Sequence, residues 1–295
     1  DKGGGEFYQL YRYDLADGRI ILLTDGKSRN TGGRWSRGGK LLAYTTTRRN
    51  GRDNDIHLID PRDPRSDRLL VEVSGGGWGV ADWSRDDGRL LLMEYISINE
   101  SYLYFADVRT GARSILTQKG GEKISYASAR FGADDLTLYA LTDKDSEFRR
   151  LVKIDVATGK KLWSARVDDR VYENNWGNGP RCTPTVAGEN IYAVSGNGRL
   201  VCLEVNGGKL VWSVDFVKDL GGKIQSWGFT ESVLVDGDRV ICTPGGSKGT
   251  LAALDRLGEQ AGESVAAVRE REALAREQAT PAPPPSSPWP TATTC

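Results

Sequence analysis

The sequence has 295 residues, of which 38% are hydrophobic, and its 40 Lys and Arg are balanced by 40 Asp and Glu. A chain of this length can bury a substantial core. Because basic and acidic residues alternate along it, the chain offers no positive field for nucleic acid or for an anionic membrane. No apolar stretch approaches the roughly 20 residues that span a bilayer. We therefore expect no nucleic-acid partner and no membrane span.

Glycine and aromatic residues indicate the fold class. The chain contains 36 Gly, 8 Trp and 11 Tyr. Glycine supports tight turns, and large aromatic residues favour strands and pack between sheets. This composition predicts an all-β protein with many short strands.

A repeat of about 48 residues occupies the first half of the chain. Residues 35–44 return as residues 83–92 and, more loosely, as residues 131–139. Each unit holds an aromatic-led strand, an Asp/Gly turn, an apolar strand, a polar connection and an alternating strand that ends in Asp. The rings of Trp35, Trp83 and Phe131 are predicted to pack between sheets. Four short strands per unit make one blade of a β-propeller.

The repeat changes its motif near residue 159. Gly-Lys-Lys-Leu-Trp at residues 159–163 recurs as Gly-Lys-Leu-Val-Trp at residues 208–212. Strand-like segments continue to residue 258. An Ala/Glu/Arg-rich segment and a Pro-rich end then follow, which predict a frayed helix and a disordered tail. We therefore divide the chain into propeller blades of one type (1–158), propeller blades of a second type (159–258) and a tail (259–295).

The number of units sets the expected architecture. Counting the repeats up to residue 258 gives between five and six blades of four strands each. Whether these blades close into one ring, or form an incomplete or composite one, stays open.

The first part of the repeat has a family resemblance. Its Trp-Ser-x-x-(Asp/Gly)-Gly-x-Leu units, Leu-Thr-Asp-Gly at residues 23–26 and Tyr-Arg-Tyr-Asp-Leu at residues 11–15 resemble the TolB-like propeller at the amino end of prolyl oligopeptidase family serine peptidases. This resemblance covers residues 6–158.

The second part resembles a different family. Gly-Lys-x-x-Trp and Asp-Gly-(Asp/Asn)-x-(Val/Ile) units in residues 159–258 resemble the pyrroloquinoline-quinone-like, or quinoprotein-like, repeat propellers. A natural fusion, a recombinant chimera or a mis-joined reading would each produce such a junction. The resemblances favour a periplasmic or extracytoplasmic location, although the chain shows no signal peptide.

Catalytic residues are not expected. The resembled peptidases carry their Ser-Asp-His residues in a domain after the propeller, whereas Ser247 lies in a Gly-x-Ser-x-Gly match between blade strands and is interpreted as a turn residue. The single histidine, His57, lies upstream in a strand. Quinone enzymes of the second family use adjacent cysteines and many more blades. We therefore predict no catalytic residue, no metal and no cofactor.

The four cysteines match neither a zinc motif nor a redox motif. Cys182, Cys202, Cys242 and Cys295 lack the short pair spacing that both require. Buried free thiols are expected, and a bond between Cys182 and Cys202 stays open.

A binding site is predicted at the channel mouth, where the loops leading into the innermost strand of each blade converge. One residue per blade recurs at this position, and exposed aromatic residues there suit peptide or glycan contact. The predicted ligand-binding residues are Arg29, Asn30, Trp78, Lys123, Tyr126, Asn174, Trp176, Ser226 and Trp227.

Three functions are compatible with the sequence. The first is a non-catalytic scaffold that presents channel-mouth loops to a protein, peptide or glycan partner. The alternative is a substrate-gating propeller fragment of a prolyl oligopeptidase family peptidase that lacks its catalytic domain. The third, a fragment of a quinone-dependent dehydrogenase, would require a chromophore and calcium.

Overall fold

The computed structural model describes residues 4–173, 182–246 and 249–256, which form antiparallel sheets numbered here 1 to 6 in chain order. Sheet 1 contains β1 (Tyr11–Tyr13) and β2 (Ile20–Leu22). Sheet 2 contains β3 (Asn30–Trp35), β4 (Leu42–Thr46), β5 (Asp55–Asp60) and β6 (Asp63–Val71). Sheet 3 contains β7 (Trp78–Trp83), β8 (Arg89–Ser97), β9 (Glu100–Asp107) and β10 (Arg113–Ile115).

The second half continues the same pattern. Sheet 4 contains β11 (Tyr126–Phe131), β12 (Thr137–Thr142), β13 (Arg150–Asp155) and β14 (Lys161–Ala165). Sheet 5 contains β15 (Thr185–Ala187), β16 (Asn190–Val194), β17 (Arg199–Glu204) and β18 (Leu210–Asp215). Sheet 6 contains β19 (Leu234–Asp236), β20 (Arg239–Cys242) and β21 (Ala252–Asp255).

Every sheet is a meander in which each strand pairs with the next one in the chain. The register repeats with the sequence, because Trp35 pairs with Leu42, Trp83 with Leu90 and Phe131 with Leu138. Short polar turns can close only antiparallel neighbours, which explains the meander. The all-β fold of propeller blades predicted from the repeat is confirmed.

The hydrophobic cores lie between neighbouring sheets. One core joins sheets 2 and 3, a second joins sheets 3 and 4, and a third extends over sheets 4, 5 and 6. A smaller core around Leu23 and Tyr44 joins sheets 1 and 2. A four-stranded sheet cannot cover both of its faces alone, so stacking on neighbours is what buries the apolar residues of each blade.

The aromatic residues that lead the inner strands differ in burial. Trp83 is 1% exposed, and its Nε1 donates to the carbonyl of Arg34 in the preceding sheet at 2.9 Å. Phe131 is also buried, but Trp35 is 55% exposed. The prediction that Trp35 packs between sheets is therefore wrong. The sheet before it, sheet 1, has only two strands, which correspond to the third and fourth strands of the other blades. The described residues of sheet 1 therefore include no inner strand on which Trp35 could pack.

The change of repeat motif falls inside a sheet. The turn that contains residues 158 and 159 joins β13 to β14, and these two strands pair through Leu151, Val152, Lys153 and Ile154. Trp163 on β14 then donates from Nε1 to the carbonyl of Val205 in sheet 5 at 3.2 Å. Strands of both repeat types thus share sheet 4, whereas the division into domains stays a sequence-based prediction.

Candidate functional site

Three of the predicted binding residues begin the inner strands β3, β7 and β11. Asn30, Trp78 and Tyr126 share this position, but they are only 1%, 6% and 6% exposed. Asn30 Nδ2 donates to the carbonyl of Tyr8 at 3.0 Å, and the Trp78 ring lies 4.9 Å from that of Tyr104. These side chains pack the blades together, so their role as ligand contacts stays a prediction.

The other predicted residues lie nearer the surface. Arg29 forms an ion pair with Glu6 at 3.1 Å. Lys123, Ser226 and Trp227 are exposed, with Trp227 at 51%. The remaining two predicted residues, Asn174 and Trp176, lie outside the described residues.

A polar cleft lies at the opposite end of the inner strands, where β3, β7 and β11 end and the turns to the second strands begin. The cleft has a volume of about 650 Å³ and is lined by residues of sheets 2 to 5 and by Ser232, which precedes sheet 6. Its charged lining residues are Arg34, Arg37, Asp82, Arg85 and Arg130.

Bulges position three of these charged side chains. The strand register shifts between Thr31 and Arg34, between Val80 and Asp82, and between Ala127 and Arg130. A bulge re-aims the side chain beside it. Arg34, Asp82 and Arg130 therefore occupy one repeated position, directly before the aromatic residue of each inner strand. We name Arg34, Arg85 and Arg130 the arginine wall.

Asp82 is the carboxylate that lines the cleft, and it is already engaged. Arg37 Nη2 lies 2.9 Å from each of its oxygens, and the backbone N–H of Phe131 donates to Oδ2 at 3.0 Å. These contacts hold sheets 2, 3 and 4 together around one buried carboxylate. Asp82 therefore forms its ion pair with Arg37, and it also attracts Arg130 electrostatically.

Arg130 is a partly buried cation without a carboxylate partner among the described residues. Its Nη1 donates to the carbonyls of Ala81 and Ala129. Burial and repulsion from Arg34 and Arg37 lower the pKa of Arg130 to about 10, and attraction to Asp82 opposes this shift in part. The guanidinium stays charged at neutral pH in an environment that disfavours its charge.

Sequence reasoning missed the arginine wall. The signal was present, because Arg34 and Arg130 recur with the period of the neighbouring aromatic residues. The predicted site instead lay at the loops that enter the inner strands, which are at the other end of the same strands.

The candidate catalytic and metal-binding residues form no site in the described part of the chain. His57 is buried on β5, with Nδ1 3.1 Å from Asp67 Oδ1, and Ser247 lies outside the described residues. Over residues 4–173, 182–246 and 249–256, no group of three His, Cys, Asp or Glu side chains could hold a metal ion. In the same ranges, no helix has the length and apolar character to cross a membrane.

The thiols of Cys182, Cys202 and Cys242 are free and buried. The open question of a bond between Cys182 and Cys202 is answered, because neither is bonded. Burial raises the pKa of Cys182 and of Cys202 to about 11, and that of Cys242 to about 12. Such thiols are protonated and unreactive at neutral pH.

Comparisons with known proteins agree with this architecture. Residues 148–282 match the family model described as outer membrane protein assembly factor BamB, which is a PQQ-type model. A comparison with curated proteins found no match.

Three solved structures are similar in fold. A puromycin hydrolase in complex with PGG has a TM-score of 0.62 at 18% identity, covering 88% of this chain and 42% of that chain. A puromycin-hydrolyzing peptidase from Mycobacterium tuberculosis has a TM-score of 0.61 at 17% identity, covering 85% and 41%. A protein described as TolB from Agrobacterium tumefaciens has a TM-score of 0.50 at 18% identity, covering 71% and 75%.

The chain thus spans less than half the length of the puromycin hydrolase and of the puromycin-hydrolyzing peptidase. The likeness to these structures shows the fold, and it agrees with the resemblance to TolB-like and peptidase propellers inferred from residues 6–158. The protein is an all-β chain of propeller blades whose residues 148–282 match the PQQ-type family described as outer membrane protein assembly factor BamB.

Proposed function

We propose that this chain is a non-catalytic binding scaffold that holds a protein, peptide or glycan partner at an end of the channel between its inner strands. The observation that carries the proposal is the polar cleft of about 650 Å³, whose lining comes from sheets 2 to 5 and from the segment before sheet 6. Ligand sites are concave, contain a few convergent polar groups and have volumes in this range. A rigid stack of sheets holds such groups at fixed positions.

The family comparison supports a protein partner. The matched family is described as an assembly factor, and an assembly factor acts through contacts with other proteins. Fold likeness alone does not supply chemistry, so the proposal rests on the cleft itself. The exposed residues at the other end of the channel, Arg29, Lys123, Ser226 and Trp227, are proposed as a second contact surface.

The test is to probe peptide and glycan arrays with the labelled full chain and with two variants. Ala133 is exposed in a turn that lines the cleft, so the larger side chain in Ala133→Trp fills the opening of the cleft. Ala112 is exposed in the β9–β10 turn, away from the cleft, so Ala112→Trp is the matched control. We expect a bound ligand class whose affinity falls at least about 10-fold in Ala133→Trp and is unchanged in Ala112→Trp. Equal binding by both variants would contradict a role of the cleft.

The second candidate is a gating propeller of a serine peptidase. It is favoured by the fold similarity to the two peptidases, of which this chain spans 42% and 41%. Its test is the sequence of the gene around this segment. An encoded Gly-x-Ser-x-Gly elbow between strand and helix, followed by Asp and His, would support gating. A surrounding open reading frame that encodes neither the elbow nor the following Asp and His would favour the scaffold function instead.

A further inference from the structure

We propose that the arginine wall, formed by Arg34, Arg85 and Arg130, binds the carboxylates of an acidic peptide segment. This inference rests on the proposed binding function and names its ligand chemistry. It assigns the site to the end of the inner strands where the turns to the second strands lie.

The charges of the residues that line the cleft are unbalanced. Four arginines and one aspartate line the cleft, and that aspartate, Asp82, is already held by Arg37. No carboxylate of the described residues lies within ion-pair distance of Arg34, Arg85 or Arg130. The nearby turn residues Asp87 and Asp135 accept main-chain N–H groups of the neighbouring turns. Three lining arginines therefore form no ion pair within the described residues, and Asp82, which attracts Arg130, is shared with Arg37.

Most N–H donors of the arginine wall make no hydrogen bond within the described residues. In the described residues the Arg34 side chain makes no hydrogen bond, whereas Arg85 and Arg130 donate only from Nη1 and only to main-chain carbonyls. A guanidinium has five N–H donors in a planar fork that matches a carboxylate. The remaining donors of the arginine wall can therefore bind carboxylate oxygens.

The guanidinium of Arg130 is partly removed from water. Arg130 is partly buried, and its pKa is lowered by burial and by repulsion from Arg34 and Arg37, with Asp82 opposing this only in part. An unpaired buried charge is unfavourable, and a bound anion would relieve it.

The shape of the cleft favours a peptide over a compact anion. Arg34 lies on β3, Arg85 in the β7–β8 turn and Arg130 on β11, so a ligand that contacts all three must reach three sheets. The cleft is also lined by Thr183, Thr185 and Ser232, where Thr185 Oγ1 donates to the carbonyl of Val233 at 2.7 Å and Ser232 Oγ accepts the N–H of Thr183 at 2.8 Å. A strand-like segment with acidic residues at alternate positions would place carboxylates on the arginine wall and its main chain towards the hydroxyl groups.

The test measures binding to the full chain by isothermal titration calorimetry. The probes are an acetylated, amidated hexapeptide that alternates Glu and Ser, its Gln counterpart, inorganic phosphate and a sulfated oligosaccharide. We expect the Glu peptide to bind at least about 10-fold more tightly than the Gln peptide, and its affinity to fall as salt is raised. Phosphate is expected to compete only weakly.

Two variants assign the binding to the wall. Arg34→Gln removes a charge whose side chain donates no hydrogen bond in the described residues, so the fold is expected to persist. It should weaken the Glu peptide about 10-fold. Arg130→Gln should weaken it at least as much, with folding checked by circular dichroism. The control is Arg65→Gln, because Arg65 is exposed on β6 and paired with Asp63.

The outcomes separate this inference from the scaffold. Equal binding of the Glu and Gln peptides, or unchanged binding by Arg34→Gln, overturns the carboxylate site. If the oligosaccharide or phosphate binds the wall and the Glu peptide does not displace it, the peptide assignment is wrong. If the Glu peptide does not bind but a neutral ligand does, and Ala133→Trp abolishes the binding of that ligand, the scaffold stands while this inference fails. If no probe of any class binds, both fail.

Discussion

The carboxylate of Asp87 accepts the backbone N–H of Arg37 at 2.6 Å, although the two residues lie 50 positions apart. The same carboxylate accepts the N–H of Gly38 at 2.8 Å. One blade further, Asp135 accepts the N–H of Arg85 at 2.7 Å. The acidic residue of each Asp-Asp turn thus ties its blade to the turn of the preceding blade, directly beside the polar cleft.

Removal of this contact should loosen sheet 2 from sheet 3. Asp87→Ala loses two charge-assisted hydrogen bonds and is expected to lower the free energy of unfolding by about 2 kcal/mol. Asp87→Asn keeps one acceptor oxygen and tolerates the φ of 56° at this position, so it should cost less. Urea denaturation measures both.

Asp145→Ala provides the matched control. Asp145 has a similar φ of 59°, but its carboxylate forms an exposed ion pair with Lys161. The loss of an exposed pair changes stability little. An equal loss in Asp87→Ala and Asp145→Ala would show that backbone strain, rather than the contact between blades, sets the effect.

The two tryptophans that lead neighbouring inner strands should respond differently to truncation. Trp83 is buried and bonded to the preceding sheet, so Trp83→Ala is expected to lower the free energy of unfolding by about 3–5 kcal/mol. Trp35 is 55% exposed, so Trp35→Ala should cost less than about 1 kcal/mol. Equal costs in thermal or urea denaturation would contradict the packing described for sheets 1 and 2.

The contact between Trp163 and Gly208 should hold sheets 4 and 5 together across the change of repeat motif. A Cβ added at Gly208 would lie 2.8 Å from the Trp163 ring, whereas one at Gly207 would meet nothing within 4 Å. Both glycines have positive φ, so Gly207→Ala controls for backbone strain. We expect Gly208→Ala to be less stable than Gly207→Ala by about 1–3 kcal/mol. Equal denaturation midpoints would exclude a close contact there.

The buried thiols predict a loss of stability in alkali. The pKa of Cys182 is raised from 9.0 to about 11 by burial, so the native state keeps its proton while the unfolded chain loses it. The unfolded state therefore gains relative stability as the pH rises from about 9 to about 11. In Cys182→Ala this decline, followed by denaturant titration at each pH, should be shallower.

Thiol labelling tests the same burial at lower pH. At pH 8, Cys182, Cys202 and Cys242 should react with Ellman's reagent only as fast as the chain unfolds, because each is buried. Peptide mapping distinguishes them from Cys295. Rapid labelling of Cys182 in native buffer would contradict its burial between sheets 4, 5 and 6.

The sequence repeat of about 48 residues predicted the fold because the packing between neighbouring blades recurs at the same interval. Trp83 and Phe131 are buried as their spacing indicated. The exposure of Trp35 could not be read from the period, since it depends on which strands the preceding sheet contains.

The site was less accessible to sequence reasoning. Trp78 is packed by Tyr104, a residue from the third strand of its own blade, and the period carries no information about that contact. Arg34 and Arg130 repeat in the sequence, but only the bulge beside each of them determines that its side chain lines the cleft. The sequence also placed a change of motif at residue 159 without indicating that β13 and β14 would pair across it.

The most direct test of the account is limited proteolysis of the full chain, followed by size-exclusion chromatography and mass spectrometry under native conditions. Since β13 pairs with β14, and Trp163 of β14 bonds to sheet 5, the blades before and after residue 159 should behave as one body. We expect one resistant core that includes both, and any chain cut in the β13–β14 turn should remain associated. Separation into two fragments near residue 159 would contradict a continuous stack of blades and, with it, a cleft shared between them.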